Sequence, residues 1–240
     1  MNILILGGTS EIARHFCYHY LNGANIYITA RDTSFLEPLK KDIELRGTSK
    51  VNLLQYDVQQ PELLDSIRAI SDNIQLLLVT IGYLGDQEKA ENDIQEAIKI
   101  IDINFRNLLP AIDLVASDMK KNQSGTIVGI SSVAGERGRG SNYYYGSAKA
   151  AFTAYLSGLR NRLFKSNVHV LTVLPGFIDT KMTSHLTLPK PLTASPKQVA
   201  DKIFVSVNKK KNVVYVLSIW KWIMMIIKNI PEAIFKKLKL

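Results

Sequence analysis

The chain has 240 residues, 46% of them hydrophobic, and a formal net charge of +9. That length suits one α/β domain with a large core, and a single cysteine, Cys17, excludes an internal disulfide and suits a reducing compartment. The charge is uneven: residues 208–240 hold eight lysines against one glutamate, for +7, and the rest carries only +2, which marks a basic tail and argues against a nucleic-acid-binding domain.

The sequence opens without a basic leader, and no run reaches about 18 uninterrupted apolar residues, so neither a signal peptide nor a spanning helix is expected. Residues 2–6 (NILIL) form a short apolar run ending in Gly7-Gly8-Thr9-Ser10, and helical periodicity follows through Leu21. Strand, tight turn and helix are the entry to a dinucleotide-binding fold: the turn glycine admits a pyrophosphate, and the helix start offers unpaired N–H groups to the anion. A second strand at 25–29 runs into Ala30-Arg31-Asp32, a helix covers 35–46, and a third strand at 51–56 ends in Asp57-Val58. Pro61 helps to start the next helix, which Asp57 could cap. A fourth strand at 74–79 leads into Thr80-Ile81-Gly82. Residues 91–120 carry one long helical pattern that includes Asn104, with a kink expected at Pro110. The fifth strand lies at 125–132 and the sixth at 168–174, the latter running into Pro175-Gly176-Phe177-Ile178-Asp179-Thr180. Residues 181–194 have two prolines and little periodicity, so a lid over the site is expected there. Ser195-Pro196 opens a helix, and 213–217 supplies a seventh strand. The alternation predicts a doubly wound parallel sheet of the Rossmann type, about seven strands with helices on both faces. His169 reads as a structural histidine within its strand, and no metal site is expected.

The stretch from Ser131 to Lys149 carries the chemistry. Tyr145 and Lys149 are four apart at the start of a helical pattern, so a phenol and an ammonium share one face. A free tyrosine, with a pKa near 10, is a poor acid–base catalyst at neutral pH. A fixed positive charge beside it favours the phenolate and lowers that pKa, which suits proton exchange with a carbonyl or hydroxyl oxygen. Ser132 lies at the carboxyl end of the fifth strand, where open α/β sheets build their sites.

Taken in order, Gly7, Asn104, Ser132, Tyr145-x-x-x-Lys149 and Pro175-Gly176 resemble the short-chain dehydrogenase/reductase family over residues 1–217. The resemblance implies a catalytic tetrad of Asn104, Ser132, Tyr145 and Lys149, in which Asn104 holds a water that relays protons from Lys149. It implies cofactor contacts from Gly7, Thr9, Ser10, Glu11 and Ile12 in the first turn, from Asp57 and Val58 beside the adenine, and from Gly82, Tyr145 and Lys149. Pro175, Gly176, Ile178 and Thr180 would hold the nicotinamide. The family's first turn, T-G-x-x-x-G-x-G, keeps only Gly7 here, with Leu6, Glu11 and Ala13 at the other defining positions. By the same alignment Ala30 stands where an NAD site carries an acidic residue, and Arg31 follows. A guanidinium there fits a 2′-phosphate, so NADP is preferred over NAD, with Asp32 as the competing ribose ligand.

The segment V-T-I-G-Y-L-G-D (79–86) resembles the branch of the family that contains the decaprenylphosphoryl-2-keto-ribose reductases. It implies reduction of a keto-sugar on a polyprenyl phosphate, in cell-envelope polysaccharide synthesis. The alternatives are a soluble nucleotide-linked keto-sugar, a 3-oxoacyl thioester and, from another class, a non-catalytic NADP-binding scaffold. One of Arg137 and Arg139, on a glycine-rich loop at the expected mouth, is read as a ligand of a substrate phosphate, with a subunit contact or plain solvation as the alternative, and His185 in the lid as a further substrate contact or a solvated loop residue.

Residues 219–240 are read as an amphipathic tail beyond a single domain at 1–218. Trp220 and Trp222 flank Lys221, and Pro231 divides two short helical patterns. Tryptophan favours the bilayer interface and lysine stems snorkel beside it, so the tail is expected to lie on a membrane surface. The competing reading is a subunit interface, since members of the family are often homodimers or homotetramers. A cytoplasmic protein, peripheral on the inner face of the membrane, is the expected setting. Removal of the tail is expected to spare the core.

Overall fold

The structure is a computed structural model that describes residues 1–184 and 186–238. In chain order its strands are β1 (Asn2–Leu6), β2 (Asn25–Ala30), β3 (Lys50–Gln55), β4 (Leu76–Val79), β5 (Gly125–Ile130), β6 (Val168–Leu174), β7 (Phe177–Ile178), β8 (Thr193–Ala194) and β9 (Val213–Tyr215). Its α-helices are α1 (Glu11–Cys17), α2 (Glu37–Arg46), α3 (Asp65–Arg68), α4 (Gln87–Asn92), α5 (Ile94–Asn104), α6 (Leu109–Lys121), α7 (Tyr143–Leu163), α8 (Pro196–Asn208), α9 (Ile219–Asn229) and α10 (Glu232–Phe235).

Seven strands make one parallel sheet in the order β3-β2-β1-β4-β5-β6-β9. The central strands are apolar on both faces, as they must be when helices cover both sides. Alternation along β1 shows this: Ile3 and Ile5 enter one apolar layer with Phe16 of α1, Ile43 of α2 and Ile203 of α8. Leu4 and Leu6 enter the opposite layer with Ile112 of α6 and with Phe152 and Leu156 of α7. Cys17 is buried in the first layer, where desolvation pushes its thiol up to about 12 and leaves it inert. The doubly wound sheet read from the sequence is therefore the observed architecture.

Local signals placed several helix ends. Ser195 and Gln198 exchange hydrogen bonds with each other's backbone N–H at 3.2 and 2.8 Å, closing a capping box at the start of α8 with Pro196 in its first turn. The long helix expected over 91–120 is instead broken. α5 ends at Asn104, where Phe105 turns out of helical geometry (φ −145°, ψ −74°), and a 3-10 turn at Arg106–Leu108 precedes α6. Pro110 does not kink a helix; it lies in the first turn of α6, where its missing N–H costs nothing.

The tail forms α9 and α10 on either side of Pro231, and it is seated on the body. Trp220 and Met224 are buried with Val133 and Leu174. Ile219, Trp222, Met225 and Ile226 face outward and are exposed. No helix among the described residues is long and apolar enough to cross a membrane.

Candidate active site

The order of connections reverses between β1 and β4, and the crevice at the carboxyl ends of these strands is where an open sheet builds its site. Gly7 has φ +95°, and a Cβ there would stand 2.8 Å from Thr80 Oγ1 and 2.9 Å from Ile81 Cγ1. A side chain at Gly8 would collide with Ile28 of β2. This second glycine requirement was not read from the sequence, because it comes from contact with a strand twenty residues away. Two threonines brace the turn: Gly7 N–H donates to Thr29 Oγ1 at 3.2 Å, and the Thr80 hydroxyl lies 2.9 Å from Leu6 O and 2.7 Å from Gly7 O. Ser10 caps α1 by accepting from Ile12 N–H at 3.3 Å. Ile12 gives its side chain to the core, so of the turn residues named above Thr9 is exposed and Glu11 half-buried.

Beside this turn, at the end of β2, Thr9, Ala30, Arg31, Asp32 and Phe35 line a pocket of about 320 Å³. Asp32 turns one carboxylate oxygen to capping the following turn, accepting from Ser34 N–H at 2.9 Å, and hydrogen bonds from Ser34 lower its pKa. Arg31 is exposed in the same pocket. Asp57 and Val58 follow β3; Asp57 accepts from Gln59 N–H at 2.9 Å and Val58 is buried.

On the β4 side, Gly82 is the meeting point. A Cβ there would stand 3.4 Å from Asn104 Oδ1, 3.6 Å from Lys149 Nζ and 3.6 Å from Met182 Cε. Asn104 is fully buried; its amide donates to Tyr83 O (2.6 Å) and Ile100 O (2.8 Å), and its Oδ1 accepts from Tyr83 N–H (3.1 Å). It therefore stitches the end of α5 to the loop after β4. Glu96, also buried, accepts from the Tyr83 hydroxyl at 2.6 Å and from Asp86 N–H at 3.4 Å. Gly85, with φ +70°, leaves no room for a side chain against Ile100. The G-Y-L-G-D segment thus has a physical identity, a loop pinned by a buried carboxylate and a buried amide.

At the end of β5, Ser132 is buried and its Oγ accepts from Ala134 N–H at 3.1 Å. Lys149, one turn beyond Tyr145 on α7, is 3% exposed. Its Nζ donates to Ile130 O at 3.2 Å and lies 5.7 Å from the centroid of the Tyr145 ring. Ser131, unremarked in the sequence, anchors α7 by donating to Lys149 O at 2.9 Å. Burial pushes the Tyr145 phenol up to about 12, with a hydrogen bond from Ser132 acting in the opposite direction. Burial also lowers the Lys149 ammonium to about 8. Desolvation disfavours the charged form of each group, and the contact that lowers the Tyr145 pKa is the hydrogen bond from Ser132, where the sequence points to Lys149.

Beyond β6, Pro175 and Gly176 follow directly, and Val133 N–H donates to Pro175 O at 3.0 Å, joining this segment to the Ser132 loop. Thr180 N–H donates to Thr183 Oγ1 at 3.3 Å. In the following segment, expected to form a lid, Met182 comes close to the loop after β4, its Cε 3.6 Å from where a Cβ on Gly82 would stand. The two ends of this segment are clasped by pairing of β7 with β8, Phe177 with Thr193 and Ile178 with Ala194.

The two arginines named as candidates for a substrate phosphate are used elsewhere. Arg137 donates to the carbonyls of Ile227 and Ile230, pairs with Glu232 at 2.9 Å and lies 3.7 Å over the Phe235 ring. Arg139 is half-buried against Met224, 3.3 Å from its sulfur. Free carbonyls at the end of α9 draw a guanidinium strongly, and this claims Arg137 for the tail. His185 lies outside the described residues. Among the described residues no three His, Cys, Asp or Glu side chains gather as a metal site.

A sequence model described as short chain dehydrogenase matches residues 1–190. An uncharacterized oxidoreductase of Mycobacterium tuberculosis is 28% identical over 240 residues, covering 98% of this chain and 96% of the relative. A 3-oxoacyl-[acyl-carrier-protein] reductase of Chlamydia muridarum is 28% identical over 192 residues, 77% of this chain and 76% of its own. Among solved structures, a short-chain dehydrogenase from Sphingobium yanoikuyae in complex with NADPH superposes with a TM-score of 0.82 at 21% identity, covering 97% of each chain. One from Burkholderia cenocepacia in complex with NADP gives 0.82 at 20% identity, covering 100% of this chain and 97% of its own. These two share the fold.

Proposed function

Since the chain belongs to the short-chain dehydrogenase family, we propose that it is an NADPH-dependent reductase that converts a ketone to a secondary alcohol. The observation that carries this reading is the gathering of Ser132, Tyr145 and Lys149, with the Lys149 ammonium beside Gly82 in the loop after β4. A scaffold that merely kept the fold would not need that set. The residues present fit a nicotinamide dinucleotide. Gly7 and Gly8 keep the first turn bare for a pyrophosphate, Arg31 lines the pocket where a 2′-phosphate belongs, and Asp32 turns one carboxylate oxygen to its cap. NADPH is accordingly preferred, with NADH as the weaker donor. Asp57, Val58, Pro175, Gly176, Ile178 and Thr180 would line the rest of the site.

The cofactor supplies the hydride; the protein supplies position and a proton. Ser132 orients the carbonyl oxygen. Tyr145, a phenol that carries its proton at neutral pH, donates to the developing alkoxide. Lys149 holds a positive charge behind it, and Asn104 retains one acceptor lone pair on Oδ1 for a water beside Lys149.

For the substrate, we favour a keto-sugar carried on a polyprenyl phosphate, in envelope polysaccharide synthesis. The supports are the pinned G-Y-L-G-D loop and the tail, whose exposed Ile219, Trp222, Met225 and Ile226 form an apolar stripe among lysines. Such a stripe suits the headgroup zone of an anionic, cytoplasm-facing leaflet. The Chlamydia relative favours a second reading, a 3-oxoacyl thioester. Assembly as a homodimer or homotetramer fits the exposed Ile94, Ile98 and Ile101, which share one face of α5.

The test is NADPH oxidation by the full-length protein with a panel of carbonyl compounds: a polyprenyl-phosphate keto-sugar, a nucleotide-linked keto-sugar, a 3-oxoacyl thioester and a small neutral ketone. The lipid-linked sugar should give the highest kcat/KM. A clear preference for the thioester would replace the substrate assignment, and no turnover with any of them would defeat the reductase reading.

A further inference from the structure

We propose that Trp220, from the C-terminal helix α9, is a positioning residue for the reaction: it sets from behind the place of Pro175–Thr180 and of the roof above the site. The proposal rests on the reductase reading and adds a part to it that lies outside the motifs named above and past the end of the family match at residue 190.

Four contacts place the indole. A Cβ on Gly176 would collide with its ring, so the backbone of Gly176 lies directly on the indole. Phe177 meets it edge to face at 5.5 Å between ring centres. Its Nε1–H donates to Leu192 O at 3.0 Å. It is buried in one apolar cluster with Val133, Leu174 and Met224. Val133 follows Ser132 and Leu174 precedes Pro175, so the indole backs both the serine loop and the segment after β6. Phe177 and Leu192 stand at the two ends of the roof, next to the β7–β8 clasp. One rigid side chain thus touches both hinges of the segment that carries Met182 close to Gly82.

The helix that bears Trp220 is itself fixed from its other end. Arg137 holds the carbonyls of Ile227 and Ile230, and Lys228 pairs with Glu136 at 3.0 Å, where the Tyr215 hydroxyl also donates at 2.9 Å. The tail is therefore anchored to the Ser132 loop on one side and presses on the roof hinges on the other. A misplacement of about 1 Å at a reacting centre costs on the order of 10²-fold in rate, which is the scale on which a loosened hinge would act.

The experiment uses the full-length protein and the variants Trp220→Ala, Trp220→Phe, Gly176→Ala and Trp220→Ala with Gly176→Ala. Four quantities are read: thermal midpoint, NADPH affinity from the cofactor's own fluorescence, the rate of tryptic cleavage after Lys181 in the roof, and kcat and KM with a reducible ketone. Trp220→Ala should lower kcat by about 10²-fold and speed the Lys181 cut, while Trp220→Phe, which keeps one aromatic ring but loses the pyrrole ring and its N–H, should restore part of both. Gly176→Ala should be harmful alone and nearly silent beside Trp220→Ala, a coupling of roughly tenfold. Additive effects, or a wild-type cleavage rate in Trp220→Ala, would overturn the proposal. If Trp220→Ala does not fold, a further variant, Trp220→Leu, which removes the aromatic ring but keeps apolar bulk, decides: a faster cut with a near-wild-type midpoint supports the role, and an unchanged cut removes it. If the wild type reduces no ketone, the reductase reading fails by itself. Unaltered NADPH affinity and cleavage in Trp220→Ala would then defeat this proposal separately.

Discussion

The Lys149 ammonium stands 5.7 Å from the centre of the Tyr145 ring and gives its hydrogen bond to Ile130 O, not to the phenol. Lys149 is buried and Tyr145 half-buried, and desolvation pushes each toward its neutral form, Tyr145 to about 12 and Lys149 to about 8. A phenol that keeps its proton is the competent species for ketone reduction, and a lysine near 8 is the group that titrates within the working range.

Tyr145→Phe should leave the fold and NADPH binding nearly intact while lowering kcat by about 10²–10⁴-fold, the usual contribution of a general acid. Single-turnover kinetics with a saturating ketone check this. A near wild-type rate would mean that another group supplies the proton.

The pH dependence follows from Lys149. In the reduction direction kcat/KM should be flat at neutral pH and fall as pH rises through about 8, where the free protein loses the positive charge behind the phenol. The Tyr145 limb lies near 12, beyond practical assay. A profile that stays level to pH 10 would show that the charge on Lys149 is dispensable.

Lys149→Met should inactivate the protein and stabilise it. The native pKa of about 8 lies below the unfolded value of 10.5, so burying the charged form costs roughly 2–4 kcal/mol at pH 7. That penalty is full below pH 8. It shrinks as pH rises, because the native lysine is then neutral while the unfolded one still binds a proton, and it is gone above 10.5. Urea unfolding of both proteins at pH 7 and pH 10 should show the gain at the lower pH and little at the higher.

Arg31→Ala should weaken NADPH far more than NADH, because the lost charge-assisted contact is worth roughly 1.5–3 kcal/mol, about one to two powers of ten in Kd. Titration with each cofactor decides it. Equal losses would point to a general effect on the pocket.

Removing 219–240 no longer looks harmless to the core, contrary to the expectation from the sequence. It would expose the bed of Trp220 and Met224, and loss of a buried tryptophan alone costs about 3–5 kcal/mol out of a typical 5–15. Trp222→Ser with Ile226→Ser is the cleaner test, since both side chains face outward. This variant should float less with anionic vesicles at low salt and keep its turnover of a small ketone. Full-length protein that stays off such vesicles, with the double variant changing oligomeric mass, would make the stripe a subunit contact.

What could be read along the chain was what the chain encodes locally. Short apolar runs placed the strands, Ser195 and Pro196 announced a helix start, and a spacing of four put Tyr145 and Lys149 on one face, because each depends on neighbours within a turn or two. The parallel order followed from strands alternating with helices. Other features arose only on packing. Gly8 is required by Ile28, Asn104 ends a helix by serving the loop of Tyr83, and Arg137 abandons the site for carbonyls ninety residues on. Trp220 reaches Gly176 and Leu192 only because the tail turns back onto the sheet edge. The ionisation of Tyr145 and Lys149 belongs with these. Spacing put the two on one face, but burial, which no local pattern measures, decided the direction in which each is shifted.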